Sequence, residues 1–282
     1  MSQDGSVSVL TADKTRDDDR GAPLLRQDHN GIVRLTMNNP ERRNALSEAM
    51  LAALQGALDT IARDPSVRVV ILAGEGPAFC AGHDLKEMTA HRTDADRGRA
   101  YFADIMTRCA ALMMSIVRLP QPVIAEVATV ATAAGCQLVA SCDLAIAAES
   151  ARFCTPGVAI GLFCSTPMVA LSRNLNRKQA MNMLLTGDIV SAEEACRIGL
   201  VNRVAAASCL RAETAKLAAS IASRSARTIK IGKEAFYRQA EMSLDDAYAY
   251  ASQVMTDNML ARDAEEGISA FLAKRAPEWN GN

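Results

Sequence analysis

The chain has 282 residues, 49% hydrophobic and 22% charged, a composition that excludes a disordered or fibrous protein and allows a sizeable buried core. A formal net charge of -1 excludes the basic footprint that nucleic acid or an anionic membrane demands, so neither is expected as a partner. The eight cysteines form no repeated C-x-x-C pairs, and several lie in apolar runs, which argues for free thiols in a reducing compartment and for no metal site.

The N-terminus is rich in Asp and carries neither an apolar signal core nor an Arg/Ser-rich transit pattern. Residues 1–22 read as a solvated tail without function. The longest uncharged apolar stretch, between Glu126 and Asp143, is shorter than the roughly 20 residues of a membrane helix, and a cytoplasmic location is the expectation.

From Leu24 to Met37 the pattern predicts two strands joined by His29-Asn30-Gly31, a hairpin turn that makes His29 a turn residue rather than a catalyst. Asn38 to Leu46 is a polar loop. Ser47 then caps a helix whose apolar residues Met50, Leu51, Leu54, Leu58 and Ile61 recur at helical spacing. Asp64-Pro65 ends that helix, and Val67 to Leu72 is a continuous apolar run of the buried-strand type. The Gly-rich turn from Gly74 leads to a helix starting at about Asp84, an N-cap residue with Glu87 three positions on. His91 to Gly98 reads as a charged surface loop, followed by a helix over Arg99 to Leu119.

Pro122 to Gly157 is the organising stretch. The apolar run Val123, Ala125, Val127 passes through the small-residue turn Thr132-Ala133-Ala134-Gly135 into a helix beginning Cys136-Gln137-Leu138. This is the second strand, turn, helix unit after the one at His83. The first N–H groups of a helix lack intrahelical partners and sit at the positive end of its dipole, so each turn is a place to hold a developing oxyanion. Beyond it the spacing predicts a helix over Leu171 to Leu185, a short helix over Ser191 to Ile198 closed by Gly199, and a strand over Leu200 to Val204. Ala212 to Ala273 reads as helical throughout. Alternating α and β elements followed by helices predict an α/β fold of parallel units, a core over 23–204 and a helical C-terminal region over 205–282.

Pro40-Glu-Arg-Arg-Asn-Ala-Leu-Ser47, Phe79-Cys-Ala-Gly-His-Asp-Leu-Lys86, Pro122-Val-Ile-Ala125, Ala133-Ala-Gly-Cys-Gln137, Cys142-Asp-Leu-Ala-Ile-Ala147, Leu185-Thr-Gly-Asp188 and Gly199-Leu-Val-Asn202 occur in this order. Together they resemble the crotonase superfamily of enoyl-CoA hydratases and isomerases, over almost the whole chain from Leu24. The Ala131 to Asp143 run with Gly161 to Pro167 looks closest to one subgroup. The resemblance implies a crotonase spiral of ββα units with a helical C-terminal trimerisation region. It also implies homotrimers or homohexamers and an acyl-CoA thioester whose carbonyl oxygen lies between two backbone N–H groups. Those donors fall on His83 and Ala134. Arg43, Ala45, Ala81, Gly82, Asp84, Leu85, Gly135, Phe163, Lys233 and Phe236 fall on substrate-binding positions, and coenzyme A enters as part of the substrate, with no separate cofactor.

The sequence also departs from the pattern. Gln137 and Gly157 stand where the resemblance places the two catalytic glutamates, and neither side chain can carry a proton between water and carbon. Gln137 either orients a water or polar acyl group or fills the space of the former acid. The His83 imidazole either acts as a base or lines the cleft. Glu126, a carboxylate in an apolar strand, is either a substitute acid or a structurally paired group. The expected activity is therefore acyl-CoA binding with enolate stabilisation and little hydration. The alternatives are decarboxylation, thioester hydrolysis or a non-catalytic acyl-CoA-binding partner.

Overall fold

A computed structural model describes residues 21–281. The tail expectation for residues 1–20 falls outside the described residues. Strands β1 (Leu24–His29) and β2 (Ile32–Met37) pair antiparallel, Leu24 opposite Met37 and His29 opposite Ile32. Asn30 and Gly31 have φ of 48° and 76°, the two positive values that a type I′ turn requires. In helix α1 (Glu48–Ala62) the Ser47 hydroxyl accepts the Met50 amide, and the buried residues are the five that the spacing selects.

A repeating path follows. Strand β3 (Val69–Gly74) leads to β4 (Ala78–Cys80), helix α2 (Leu85–Ala90) and helix α3 (Arg99–Arg118). Strand β5 (Val123–Val127) leads to β6 (Val130–Thr132) and helix α4 (Ala134–Ser141). Strand β7 (Leu144–Ala148) leads to β8 (Arg152–Cys154), a 3-10 turn over Pro156–Ile160, and helices α5 (Ser165–Asn174) and α6 (Arg177–Thr186). Strand β9 (Val190–Ser191), helix α7 (Ala192–Ile198) and strand β10 (Arg203–Ala205) close the series. Each turn of this spiral contributes one strand to each of two sheets. One sheet has the order β1-β2-β3-β5-β7-β10, parallel from β2 onward, and the other has the order β4-β6-β8-β9, with only β9 antiparallel.

Strand alternation divides the larger sheet into two faces. Val70, Leu72, Val123, Ala125 and Val127 face the main core, with Leu54 and Leu58 of α1 and Leu112 and Ile116 of α3. Val69, Ile71 and Ile124 face the other way, against Ala218 of helix α8 (Leu210–Ala222). Burial on both faces explains why β3 reads as an unbroken apolar run. Among the described helices, α3 alone is long and apolar enough to cross a membrane, and its Ile105, Cys109, Leu112, Met113 and Ile116 lie in this core.

Three readings change. The helix predicted over Leu171 to Leu185 is two helices, because the Asn176 side chain accepts the Gln179 amide and starts a new one. The predicted strand over Leu200 to Val204 shrinks to β10, since Leu200 and Val201 donate to the Ala195 carbonyl in the α7 terminus. Strands β4, β6 and β8 have three residues each, too few for period-2 alternation to register.

Helices α9 (Ala226–Gln239), α10 (Leu244–Met259) and α11 (Arg262–Leu272) follow α8. The Lys233 side chain of α9 is 7% exposed, and its ammonium donates to the Ile116 carbonyl at 3.0 Å, the Gln121 carbonyl at 3.0 Å and Asp143 Oδ2 at 2.7 Å. Asp143 also accepts the Val123 amide and the Tyr237 hydroxyl. This corrects the substrate-binding expectation for Lys233, whose three donors are already engaged. Burial pulls the lysine pKa down, and the Asp143 carboxylate opposes that pull. Replacing one partner leaves the other charge buried and unpaired. Lys233→Met is expected to lower unfolding stability by about 3 kcal/mol in urea titration, and a loss below about 1 kcal/mol would contradict the tie.

Candidate active site

Parallel pairing of β4 with β6, and of β6 with β8, brings three chain reversals into one row. Ala78 lies opposite Val130 and Cys80 opposite Ala131, while Thr132 lies opposite Cys154. The residues that follow these strand ends are Ala81-Gly82-His83, Ala133-Ala134-Gly135 and Thr155-Pro156-Gly157. Side-chain and main-chain bonds fasten the row. Thr132 Oγ1 donates to the Ala81 carbonyl at 3.0 Å, and the Ala133 amide donates to the Cys154 carbonyl at 2.9 Å.

The entry loop to α1 adds a fourth segment. The Ala81 amide donates to the Arg43 carbonyl at 3.0 Å, and the Leu46 amide to the Gly82 carbonyl at 2.7 Å. Arg43, Ala45, Ala81, Gly82 and His83 thus lie along two paired segments. Asn44 holds this loop in place: its side chain is fully buried, donates to the Glu75 and Ala78 carbonyls and accepts the Asn39 amide. The structural parts played by Asn44 and Thr132 were not legible in the sequence. Asn in a polar loop is a common turn residue, and nothing local to it reports burial.

Gly82 has φ +88°, and a Cβ there would sit 3.0 Å from the Ala133 methyl and 3.3 Å from the Ala134 nitrogen. The glycine therefore lets the two turns touch. Among the described residues, the His83 and Ala134 amides donate to no backbone carbonyl. Ala134 is the first residue of α4, where an amide has no intrahelical acceptor. Gly135 packs on the end of β4, so that a Cβ there would overlap the Cys80 carbonyl. Ala133 itself has φ 49° and ψ −118°, a conformation that glycine adopts freely and an L-residue at a cost of order 1–3 kcal/mol.

Around these amides the polar groups are sparse. Burial lowers the His83 pKa, which keeps the imidazole neutral near pH 7, and its Nε2 is buried without a partner. Gln137, 4% exposed, lies one turn into α4, and its Oε1 is also unpartnered. Gly157 is buried, and its φ lies outside the left-handed region. Space rather than backbone conformation restricts it, since a Cβ would meet the Leu162 carbonyl at 2.7 Å and Cys164 Sγ at 2.9 Å. Phe163, 42% exposed, sits between those two contacts. Burial raises the Cys164 thiol pKa, against the Gly157 backbone contact, which disfavours the thiolate there.

Three expected site residues are committed elsewhere. Asp84 caps α2 by accepting the Lys86 and Glu87 amides, and its other oxygen takes Arg42 at 2.8 Å. Burial alone would raise its pKa, but Arg42 and the two amides hold the carboxyl below the usual carboxylate range. Both oxygens of Asp84 therefore have partners that position the His83 turn, while Leu85 beside it is half exposed. Glu126 is bound bidentately by Arg34 at 2.8 and 2.6 Å. It shares the parity of Ile124, on the sheet face that α8 covers, which removes it as a substitute acid. Lys233 is held by Asp143, and Phe236 on the same helix α9 is exposed.

Residues 27–282 match the protein family described as Enoyl-CoA hydratase/isomerase. The chain is 48% identical to the mitochondrial enoyl-CoA hydratase domain-containing protein 3 of Xenopus laevis, over 91% of this chain and 85% of that protein. The human protein of the same name is 46% identical over 92% and 84%. A crystal structure of an enoyl-CoA hydratase from Mycobacterium smegmatis superposes with TM-score 0.87 at 53% identity, covering 91% of this chain and 98% of that one. The human domain-containing protein 3 structure gives 0.86 at 46%, covering 91% and 100%. The fold and the subgroup resemblance read from the sequence both agree with these likenesses. The cytoplasmic expectation does not stand, because the vertebrate relatives are named mitochondrial. Free thiols and a small net charge describe the chemistry of a fold and not its address.

The strain at Ala133 is testable without a ligand. Ala133→Gly is expected to raise unfolding stability by about 1 kcal/mol, the relieved strain exceeding the added chain entropy. An unchanged or lower denaturation midpoint would contradict it.

Proposed function

The chain belongs to the enoyl-CoA hydratase/isomerase family, and from that premise we propose that it binds an acyl-CoA thioester with the carbonyl oxygen between the His83 and Ala134 amides. The observation that carries this reading is the pair of unengaged amides on two touching turns. Fixed N–H groups in a closed site strengthen as charge develops on the oxygen, a contribution of ~3 kcal/mol per donor in mutational measurements. An enolate or a tetrahedral oxyanion is the species such a pair stabilises. Arg43, Ala45, Ala81, Gly82, Leu85, Gly135, Phe163 and Phe236 remain as binding positions. Coenzyme A is part of the substrate, and no separate cofactor is invoked.

In this reading the two positions that carry the protons of hydration hold no titratable side chain, and the neutral His83 imidazole is a single candidate base. Syn addition of water needs a group to take a proton from water and one to deliver it to carbon. Gln137 and Gly157 stand at the two positions, and Glu126 is bound by Arg34. Loss of carbon dioxide from an acyl-CoA with a carboxylate on its α-carbon, by contrast, breaks the bond from Cα to that carboxylate with no proton removed and leaves an enolate on the two amides, which then takes one proton from water at Cα. Thioester hydrolysis uses the same hole, with water adding to the carbonyl carbon, the neutral His83 imidazole taking its proton, and the thiolate of coenzyme A leaving with that proton. A non-catalytic acyl-CoA binder is the second reading, supported by the same missing acids.

Oligomerisation completes the proposal. Helices α9 to α11 expose Phe236, Leu244, Tyr248, Met255, Leu260, Phe271 and Leu272, with Leu260 at 82% and Phe271 at 81%. Apolar faces of this size are covered in solution, and a homotrimer or homohexamer covers them. Light scattering at micromolar concentration is expected to give three or six copies. A monomer would contradict this.

The chemistry is tested by following crotonyl-CoA absorbance alongside calorimetric binding of the same thioester. Binding is expected, with hydration at least about 10²-fold below an ordinary ~10 s⁻¹. The double variant Gln137→Glu with Gly157→Glu is expected to gain no rate and to lose stability, because the Leu162 carbonyl occupies the space of the new Cβ. Wild-type turnover near ~10 s⁻¹ would refute the missing-acid argument, and absence of thioester binding would refute the whole reading.

A further inference from the structure

Helix α11 has little of its own to hold it. It is 11 residues long, and its buried residues are Asp263 and Ala270. An isolated helix below roughly 12–15 residues is marginal in water. The N-cap residue Ala261 makes no side-chain cap, and Gly267 stands in the helix interior, where glycine is less favourable than alanine.

The segment that follows supplies what the helix lacks. Lys274 is left-handed at φ 53°, the Arg275 amide donates to the Ala270 carbonyl and the Lys274 amide to the Phe271 carbonyl, a reversal most often built on glycine. From there the chain runs back along α11 from its end to its start. The Arg275 guanidinium binds both oxygens of Glu266 at 2.6 and 2.8 Å, and the Glu278 amide donates to the same carboxylate at 2.8 Å. The Trp279 ring lies against Gly267, where a Cβ would stand 3.1 Å from it, so the glycine is the seat of the ring. The Asn280 and Gly281 amides donate to Asp263 Oδ1 at 3.0 and 3.2 Å, and the Ser225 hydroxyl donates to the other oxygen. Trp279 Nε1 fastens the segment to the Ser223 carbonyl, at the junction of α8 and α9, at 2.9 Å. Burial would raise the Asp263 pKa, but Ser225 and the two amides bring it below the usual carboxylate range, and Arg275 with the Glu278 amide lowers Glu266 to about 2. Both carboxylates are therefore charged at neutral pH.

We infer that residues 274–281 form a latch that fixes α11 for self-association: closed, it presents the apolar face of α10 and α11 to a second copy of this chain, and open, it releases α11. This rests on the proposed assembly through α9 to α11. A second copy fits because the surface holds both halves of a contact. Met259, Leu260, Ile268 and Leu272 line a groove, and Phe271 beside it projects into solvent, 81% exposed. Copies of one chain can each supply a groove and a knob to the next and close into a ring. Ordering α11 before contact removes from assembly the entropy of ordering it at contact, which couples the latch to association.

Trp279 is the single tryptophan of the chain, so intrinsic fluorescence reads the latch directly. Fluorescence, acrylamide quenching and light scattering of the full chain at micromolar concentration test the inference. The wild type is expected to give blue-shifted, protected emission at the mass of the assembled form. Gly267→Leu fills the seat of the ring, and it is expected to shift the emission to that of exposed indole and to reduce the mass to one copy, with the melting temperature of the core unchanged. Helix stability alone predicts the opposite, since leucine favours α11 over glycine. Trp279→Ala removes the ring without entering a helix and is expected to lose assembly in the same way, which decides the matter if Gly267→Leu fails to fold. Exposed indole emission in the wild type, or protected emission in Gly267→Leu, would overturn the latch. Variants that keep the wild-type mass would overturn it too and leave the assembly reading standing. A monomeric wild type refutes both.

Discussion

The parallel pairing of three short strands, β4, β6 and β8, is the constraint on which the site depends. Parallel neighbours point the same way, so the chain leaves them on one side, and the turns after Cys80, Thr132 and Cys154 align. Strands of three residues contribute little stability themselves. Their register is held by what surrounds them: the larger sheet, with β3, β5 and β7 one step earlier in each turn of the spiral, and the helices that return the chain. The site is therefore a product of superhelical repetition. Each turn delivers one reversal, and consecutive turns deliver adjacent reversals.

Close approach of these reversals explains the small residues at the site more fully than a need for flexibility does. Gly135 faces the Cys80 carbonyl, Gly157 faces the Leu162 carbonyl, and Gly82 faces the Ala133 methyl. Only at Gly82 is the backbone also left-handed. Ala133 is the reverse case, a residue with a Cβ in a conformation suited to glycine. Its methyl packs against Gly82, so the strain at one turn is coupled to the fit of the other. A local cost concentrated at the free amides is the arrangement expected where preorganisation outweighs stability.

Charge is treated differently in the body and at the site. Arg34 with Glu126, Lys233 with Asp143 and Arg42 with Asp84 are each closed pairs with short contacts. Each joins elements far apart in sequence: two strands of the larger sheet, a C-terminal helix to the segment before β7, and the α1 entry loop to the start of α2. Around the free amides the contrast is plain, with a neutral imidazole, an amide and a glycine. The proposed function asks for this contrast, since fixed amides without a compensating charge favour charge that appears on a ligand.

The hairpin at Asn30-Gly31, the Ser47 and Asp84 caps, the five buried positions of α1 and the two strand, turn, helix units were legible from local chemistry. Turn dipeptides, capping side chains and 3.6-residue spacing act within a few residues of each other. Recognition of the ordered motifs added the spiral. The three-residue strands and the break at Asn176 were not legible, because short segments hold too few positions for a period to show. Nor were the commitments of Glu126, Lys233 and Asp84, whose partners lie 92, 90 and 42 residues away in the chain. By itself the sequence determined which residue types stand at the three turns. Only the tertiary structure decided which remaining polar groups are free, because a side chain's availability depends on partners that folding, and not sequence proximity, brings to it.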